Sequence, residues 1–221
     1  EGFRLYLGAR RLDRLAMVAA ALDADAHYLD VTDRASVAEF CDRIPQCCVL
    51  VNNAGGALGL EPVAEADESR WRWMYEANVL GCLRMTQALL PKLEDSGEGH
   101  IVIVSSIAGL EIYEGGAGYT AAKHAETVLA RTLRLELVGR PVRVTEVNPG
   151  LVETEFSLVR FAGDRERADQ VYAGMTPLRA GDVADCIAWA VTRPAHVNID
   201  QIVVKPLQQA SATKVCREQQ P

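Results

Sequence analysis

The sequence predicts an α/β fold: a three-layer, doubly wound parallel sheet with helices on both faces. Three observations predict it. Short β-rich apolar runs alternate with helical patterns along the chain. Several of those runs are apolar throughout rather than alternating, as strands covered on both sides must be. No internal repeat, low-complexity tract or domain linker interrupts the 221 residues. One domain over 1–209, followed by a tail at 210–221, is therefore expected, large enough to bury a continuous core.

Taken in order, the strands are predicted at 3–7, 26–29, 47–51, 101–105, 142–147 and 202–204. Helical patterns lie near 11–22, 34–44, 67–94, 117–138 and 181–192. Pro45, Pro141, Pro149 and Pro194 punctuate their ends. Residues 153–176 are polar with a short helical pattern and interrupt the rhythm before the penultimate helix. Such an insertion reads equally as a lid over a pocket or as surface packing. From Ala210 onward loose order is expected.

Composition excludes several classes of function. The formal charge of -7, with no basic stripe, argues against nucleic acid as a partner. Six cysteines occur without a repeated spacing, and Cys47 and Cys48 fall inside an apolar run that reads as a buried strand. Reduced thiols of a cytoplasmic protein are the simpler reading. With no CxxC or HExxH and four scattered histidines, no metal site is expected. The apolar stretch 15–22 is far shorter than the roughly 20 residues that span a bilayer, so no membrane is expected as a partner, and no signal peptide opens the chain.

The chemistry begins with Tyr119 and Lys123. Spaced by four, they share one helix face, and an ammonium beside a phenol favours the phenolate, lowering the Tyr119 pKa towards an acid–base working range. Ser106 stands thirteen residues earlier, beyond the carboxyl end of the strand at 101–105, where open α/β sheets bind ligands. A serine capping a turn would explain Ser106 alone. Asn52, Asn53, Ala54 and Gly55 follow the strand at 47–51 and let backbone approach a flat ligand. Asn78, a poor helix former, sits inside a helical pattern. Pro149, Gly150, Val152 and Thr154 form a turn after the strand at 142–147, with backbone groups suited to an amide ligand.

Together these residues resemble the short-chain dehydrogenase/reductase family over residues 3 to about 209. The resemblance implies a Rossmann-like fold and an oxidoreductase interconverting an alcohol and a carbonyl. It implies that Tyr119 exchanges the proton, Ser106 holds the substrate oxygen, and Lys123 tunes Tyr119 and holds the ribose of the cofactor. Asn78 would support a water relay from Lys123. Asn52, Ala54 and Gly55 would line the adenosine side and stabilise the central strand, while Val152 and Thr154 would meet the nicotinamide carboxamide. Arg10 and Arg11 follow the first strand where an NAD-preferring site would carry an acid, so the cofactor is expected to be NADP(H), its 2′-phosphate on Arg10 with Arg11 behind. Helix-start surface charge is the plainer reading of both. Asp30, with Val31 beside it, is similar to the family's adenine contact. Members commonly pair through the helices corresponding to those of Asn78 and Tyr119, implying a homodimer or homotetramer, although core burial explains the apolar content of those helices as well.

Residues 52–62, 153–164 and 194–200 are further similar to bacterial NADP-dependent 3-hydroxy acid dehydrogenases acting on serine, allo-threonine and related compounds. Arg160 in the lid segment would pair with a substrate carboxylate, or make a surface salt bridge of little worth. One departure stands out: the family's opening strand and glycine-rich turn of the Thr-Gly-x-x-x-Gly-x-Gly kind are not in this sequence. The expectation is an incomplete version of a longer working enzyme. The alternative is a truncated, catalytically silent binding or regulatory protein on the same scaffold.

Overall fold

The structure is a computed structural model that describes residues 2–218. Six parallel strands form two sheet segments. In the first, β1 (Tyr6–Ala9) pairs with β2 (Asp25–Tyr28); in the second the order is β3 (Val49–Asn52), β4 (Gly99–Val104), β5 (Val142–Pro149), β6 (Gln201–Val204). Consecutive parallel strands need crossovers, and helices supply them. These are α1 (Leu12–Leu22), α2 (Arg34–Asp42), α3 (Glu68–Tyr75), α4 (Gly81–Asp95), α5 (Ala117–Glu136) and α8 (Ala180–Val191), with the short α6 (Phe156–Arg160) and α7 (Arg165–Gln170) inserted between β5 and α8.

The two faces of the large segment follow from strand alternation. Leu50, Ile101, Ile103, Val142 and Val144 pack against α2, α4 and α5. Val102 and Val147 turn the other way and meet Val183, Ile187 and Val191 of α8. Ile101, Val102, Val144 and Val147 are almost wholly buried, so β4 and β5 are covered on both sides, β4 by an apolar run and β5 with Arg143, Thr145 and Glu146 among its valines.

Several elements differ from the sequence reading. The helix predicted over 67–94 is not continuous: between α3 and α4 lies a π-helical segment, Glu76–Leu80, in which Asn78 is buried. A one-residue insertion of this kind leaves the apolar pattern on both sides intact, so periodicity does not register it. The first strand runs to Ala9 rather than ending at residue 7. β5 continues to Pro149, whose missing N–H costs no ladder bond at the strand's end. β3 begins at Val49, so Cys47, though buried, precedes the strand and Cys48 is exposed. All six cysteines are free thiols, and burial pushes Cys41 and Cys47 up to about 11.

The tail was expected to be loose, yet its described part is tied down. Arg217 Nη2 donates to Val171 O (2.9 Å) and the Glu218 N–H to Gly174 O (2.8 Å). Residues 219–221 lie outside the described residues. Among the described residues no helix is long and apolar enough to cross a membrane, and no group of three His, Cys, Asp or Glu side chains is placed to hold a metal ion.

Candidate active site

Tyr119 lies in the first turn of α5, buried among Ala57, Met74 and Ala108. Ser106 stands just beyond β4. Its hydroxyl accepts the Ala108 N–H at 3.1 Å, capping a short 3-10 turn (Ile107–Gly109). The turn-capping role and the position at the strand's carboxyl end are thus both present. Ser106 Oγ also donates to Pro149 O at 3.5 Å, and its hydroxyl holds the Tyr119 pKa down. One turn further along α5, the Lys123 ammonium lies 5.8 Å from the Tyr119 ring centroid.

Lys123 does not stand alone. It donates to both carboxylate oxygens of Glu126, at 3.1 and 2.9 Å, and to Val104 O at 3.2 Å, all out of solvent. Burial pulls the Lys123 pKa down, but Glu126 and Tyr119 outweigh it and the net direction is up. Burial likewise raises Glu126 above the ordinary carboxylate range despite its partner. For Tyr119 the result departs from the sequence expectation. Burial raises the phenol, Lys123 and Ser106 pull it down, Glu126 and Tyr113 push it up, and the net direction is up. The lysine acts with the expected sign, but desolvation outweighs it.

The 153–176 segment, expected as a lid or as surface packing, lies against Tyr119. Its base is closed by the bridge between Val152 and Leu178. Its first helix, α6, delivers two side chains to Tyr119. Phe156 packs on the ring at 5.4 Å between centroids, and the Arg160 guanidinium lies 5.6 Å from the same ring. Arg160 is held by Gly59 O (3.0 Å) and Tyr113 Oη (3.0 Å). Among the described residues it forms no salt bridge, which removes the surface-ion-pair reading.

Asn78 explains the loop after β3. Its Nδ2 donates to Met74 O (2.6 Å) and Gly56 O (2.9 Å), while its Oδ1 accepts the Gly56 N–H (3.1 Å). A Cβ at Gly55 would come within 2.3 Å of that same Oδ1, so glycine is required there. The side chain expected to support a water relay therefore clamps the π-helical segment to the strand-end loop. Asn52 is likewise turned inward, donating to Thr86 Oγ1 at 3.2 Å, a bond of the strand-stabilising kind expected of it. Ala54 and Gly55 are exposed.

At the other sheet segment, Arg10 follows β1 and is exposed. Asp30 accepts the Thr32 N–H (2.9 Å) and hydroxyl (2.7 Å). Burial pushes its carboxyl up, but these bonds and the Arg10 charge prevail and lower it. Val31 is a core side chain, pressed against Gly81, so only its backbone faces outward chemistry. Arg11 is engaged elsewhere: it pairs with Glu155 at 2.9 Å, and Arg14 joins the same carboxylate. Beyond Pro149, Gly150 packs under Gln209, whose Oε1 accepts the Leu151 N–H at 2.8 Å. Val152 O accepts the Tyr172 hydroxyl at 2.9 Å, and Thr154 Oγ1 accepts the Phe156 N–H at 3.2 Å.

Two acidic residues were missed in the sequence. Glu126 reads there as an ordinary helix charge. Glu146, in the middle of an apolar strand, was the stronger signal. Buried, it accepts from Thr127 Oγ1 and from Gln201 Nε2 (2.7 Å). With the Asn148 amide turned to satisfy its neighbours, its nitrogen donates to Glu146 (3.1 Å) and to Ser106 O (2.7 Å). This network holds the backbone that carries Ser106.

A buried tyrosine with a serine and a lysine thus stands at the carboxyl edge of a parallel α/β sheet, with the 153–176 segment against it. The sequence profile of the short chain dehydrogenase family matches residues 1–163, and the chain belongs to that family. It is 60% identical over 214 residues to an uncharacterized oxidoreductase of Mycobacterium tuberculosis, covering 97% of this chain and 85% of that one. It is 40% identical over 227 residues to sulfoacetaldehyde reductase 2 of Chromohalobacter salexigens, covering 98% and 90%. With the NADP-dependent 3-hydroxy acid dehydrogenase YdfG of Escherichia coli K12 it shares 38% over 219 residues, covering 96% and 88%. A solved structure of serine dehydrogenase in its closed form, complexed with NADP+, superposes with a TM-score of 0.92 at 37% identity, covering 99% of this chain and 91% of that one.

Proposed function

We propose that this chain interconverts an alcohol and a carbonyl with NADP(H), acting on substrates that carry an acidic group such as a 3-hydroxy acid. The observation that carries this reading is the enclosure of the Tyr119 ring by Ser106, Lys123 and the lid's Arg160. The residues present suit the cofactor. Exposed Arg10 beside Asp30 offers a guanidinium to a 2′-phosphate, and the exposed backbone at 53–55 lets a flat ligand approach. NADP(H), when bound, supplies or receives the hydride. Tyr119 then donates the phenolic proton to the carbonyl oxygen in reduction and takes it back from the alcohol in oxidation. Ser106 donates a hydrogen bond to that oxygen. Lys123 keeps a positive charge next to the phenol. Arg11, bound to Glu155, plays a smaller part than Arg10.

Arg160 supports the substrate class. A guanidinium beside the reacting phenol, held by two neutral oxygens and by no carboxylate, suits an anion close to the reacting carbonyl. The relatives named for a hydroxy acid and for a sulfonated aldehyde both act on molecules with an acidic group. Tyr119→Phe is expected to reduce turnover by about 10²-fold or more, with the circular dichroism spectrum and melting temperature kept. Full activity in that variant would refute the assignment. Arg160→Met is expected to raise KM for an acid substrate about tenfold and leave an uncharged alcohol unaffected.

The face of α3 and α5 around Trp71, Tyr75, Leu80 and Ala121 forms an open apolar cleft of about 830 Å³. It supports pairing of two copies, as a homodimer or as half of a homotetramer. Light scattering is expected to give a multiple of the chain mass that drops in Tyr75→Arg.

A further inference from the structure

The Lys123–Glu126 pair has a role beyond local packing. Lysine buried without a counter-charge tends to lose its proton. Here the ammonium is screened from water, 7% exposed, and its partner carboxylate is 3% exposed. Both carboxylate oxygens and Val104 O take its three N–H groups. An ammonium has three donors, so the geometry fixes the lysine in direction as well as in charge.

We propose that Glu126 is a positioning residue for the proton-transfer machinery: its carboxylate anchors the Lys123 ammonium beside Tyr119 and sets the charge against which the phenol ionises. The proposal rests on the reading of Tyr119 as the acid–base group. The groups facing Glu126 come from four elements. Lys123 and Tyr119 lie on its own helix α5, Cys82 on α4, Ser105 beyond the end of β4, and Glu146 on β5. Tyr113 and Arg160 face Tyr119 from the opposite side. Of these, Glu126 is the anion that contacts Lys123.

The sign of its effect follows from electrostatics. With Glu126 ionised, removing a proton from the Tyr119–Lys123 couple adds negative charge beside an existing anion. Neutralising Glu126 makes that first proton easier to remove, whichever of the two residues carries it. Glu126→Gln keeps the size and one acceptor oxygen for Lys123 while deleting the charge. It is expected to move the midpoint of the kcat/KM profile for alcohol oxidation acidward by about one pH unit. Glu126→Asp keeps the charge but draws it back by one methylene. It is expected to lower kcat several-fold with the midpoint nearly unmoved.

The second measurement needs no turnover. Tyrosinate absorbance is titrated in wild type and in Glu126→Gln, each against its Tyr119→Phe counterpart, so that the difference isolates Tyr119. An acidward shift in Glu126→Gln supports the proposal even where no alcohol is turned over, an outcome that would instead remove the reaction reading. Unmoved midpoints in both titrations, in a variant that melts like the wild type, would overturn it. If Glu126→Gln does not fold, Glu126→Asp decides: a variant equal to wild type in kcat and midpoint also overturns it.

Discussion

The two sheet segments are built to different standards. In the four-stranded segment, β4 and β5 lie under helices on both faces, and Ile101, Val102, Ile103, Val144 and Val147 expose 1% or less of their surface. In the two-stranded segment, α1 buries only Ala19, while Met17, Val18 and Leu22 are each more than half exposed. Ser106, Tyr119 and Lys123 stand on the first. Arg10, Arg11 and Asp30 stand on the second. The residues proposed for proton transfer are therefore carried by the more deeply buried segment.

The largest effect that sharpens this contrast is expected at β4. Ile103→Ala removes a side chain that is 1% exposed and should cost about 2–5 kcal/mol in urea unfolding. A loss as small as that of a surface change would break the comparison. Next comes His100, wholly buried on the α8 face, where Nε2 meets Thr145 Oγ1 at 2.7 Å and Nδ1 has no partner. Burial, reinforced by Arg143, lowers its pKa to about 4. Between about 6.5 and 4 the unfolded chain binds a proton there and the folded chain does not. Stability is thus present above pH 6.5 and falls as pH drops through that window, by at most ~3 kcal/mol. His100→Gln should flatten this part of the melting temperature against pH curve. Smallest is α1: Met17→Lys, at a position 70% exposed, should change stability by no more than about 0.5 kcal/mol.

The same contrast governs what was legible in the sequence. The strand at 101–105 stood out because burial on both faces demands an unbroken apolar run, whereas 142–147 carries Arg143, Thr145 and Glu146 among its valines. The Tyr119 and Lys123 spacing was legible because a helix converts four residues into one face. The π-helical segment was not, since the pattern on either side of it is unchanged, although Asn78 marked the place. Glu126 escaped notice because a charge in a helix ordinarily points to water, and only the packing of β4, β5 and α4 shows that this one does not. The inward packing of the Asn52 and Val31 side chains was not legible either, because a motif without a register does not show which face a strand residue takes.

The pairing of Arg11 and Arg14 with Glu155 ties α1 to the start of the 153–176 segment through exposed side chains. Because these charges are half in water, their attraction weakens as ionic strength rises. An anion arriving at Arg11 meets a resident rival, and each one that binds the guanidinium leaves Glu155 with less to hold it. Competition of this kind makes the tie between α1 and the 153–176 segment depend on what the neighbouring arginines are bound to, so buffer phosphate and salt belong among the variables of any assay on this chain.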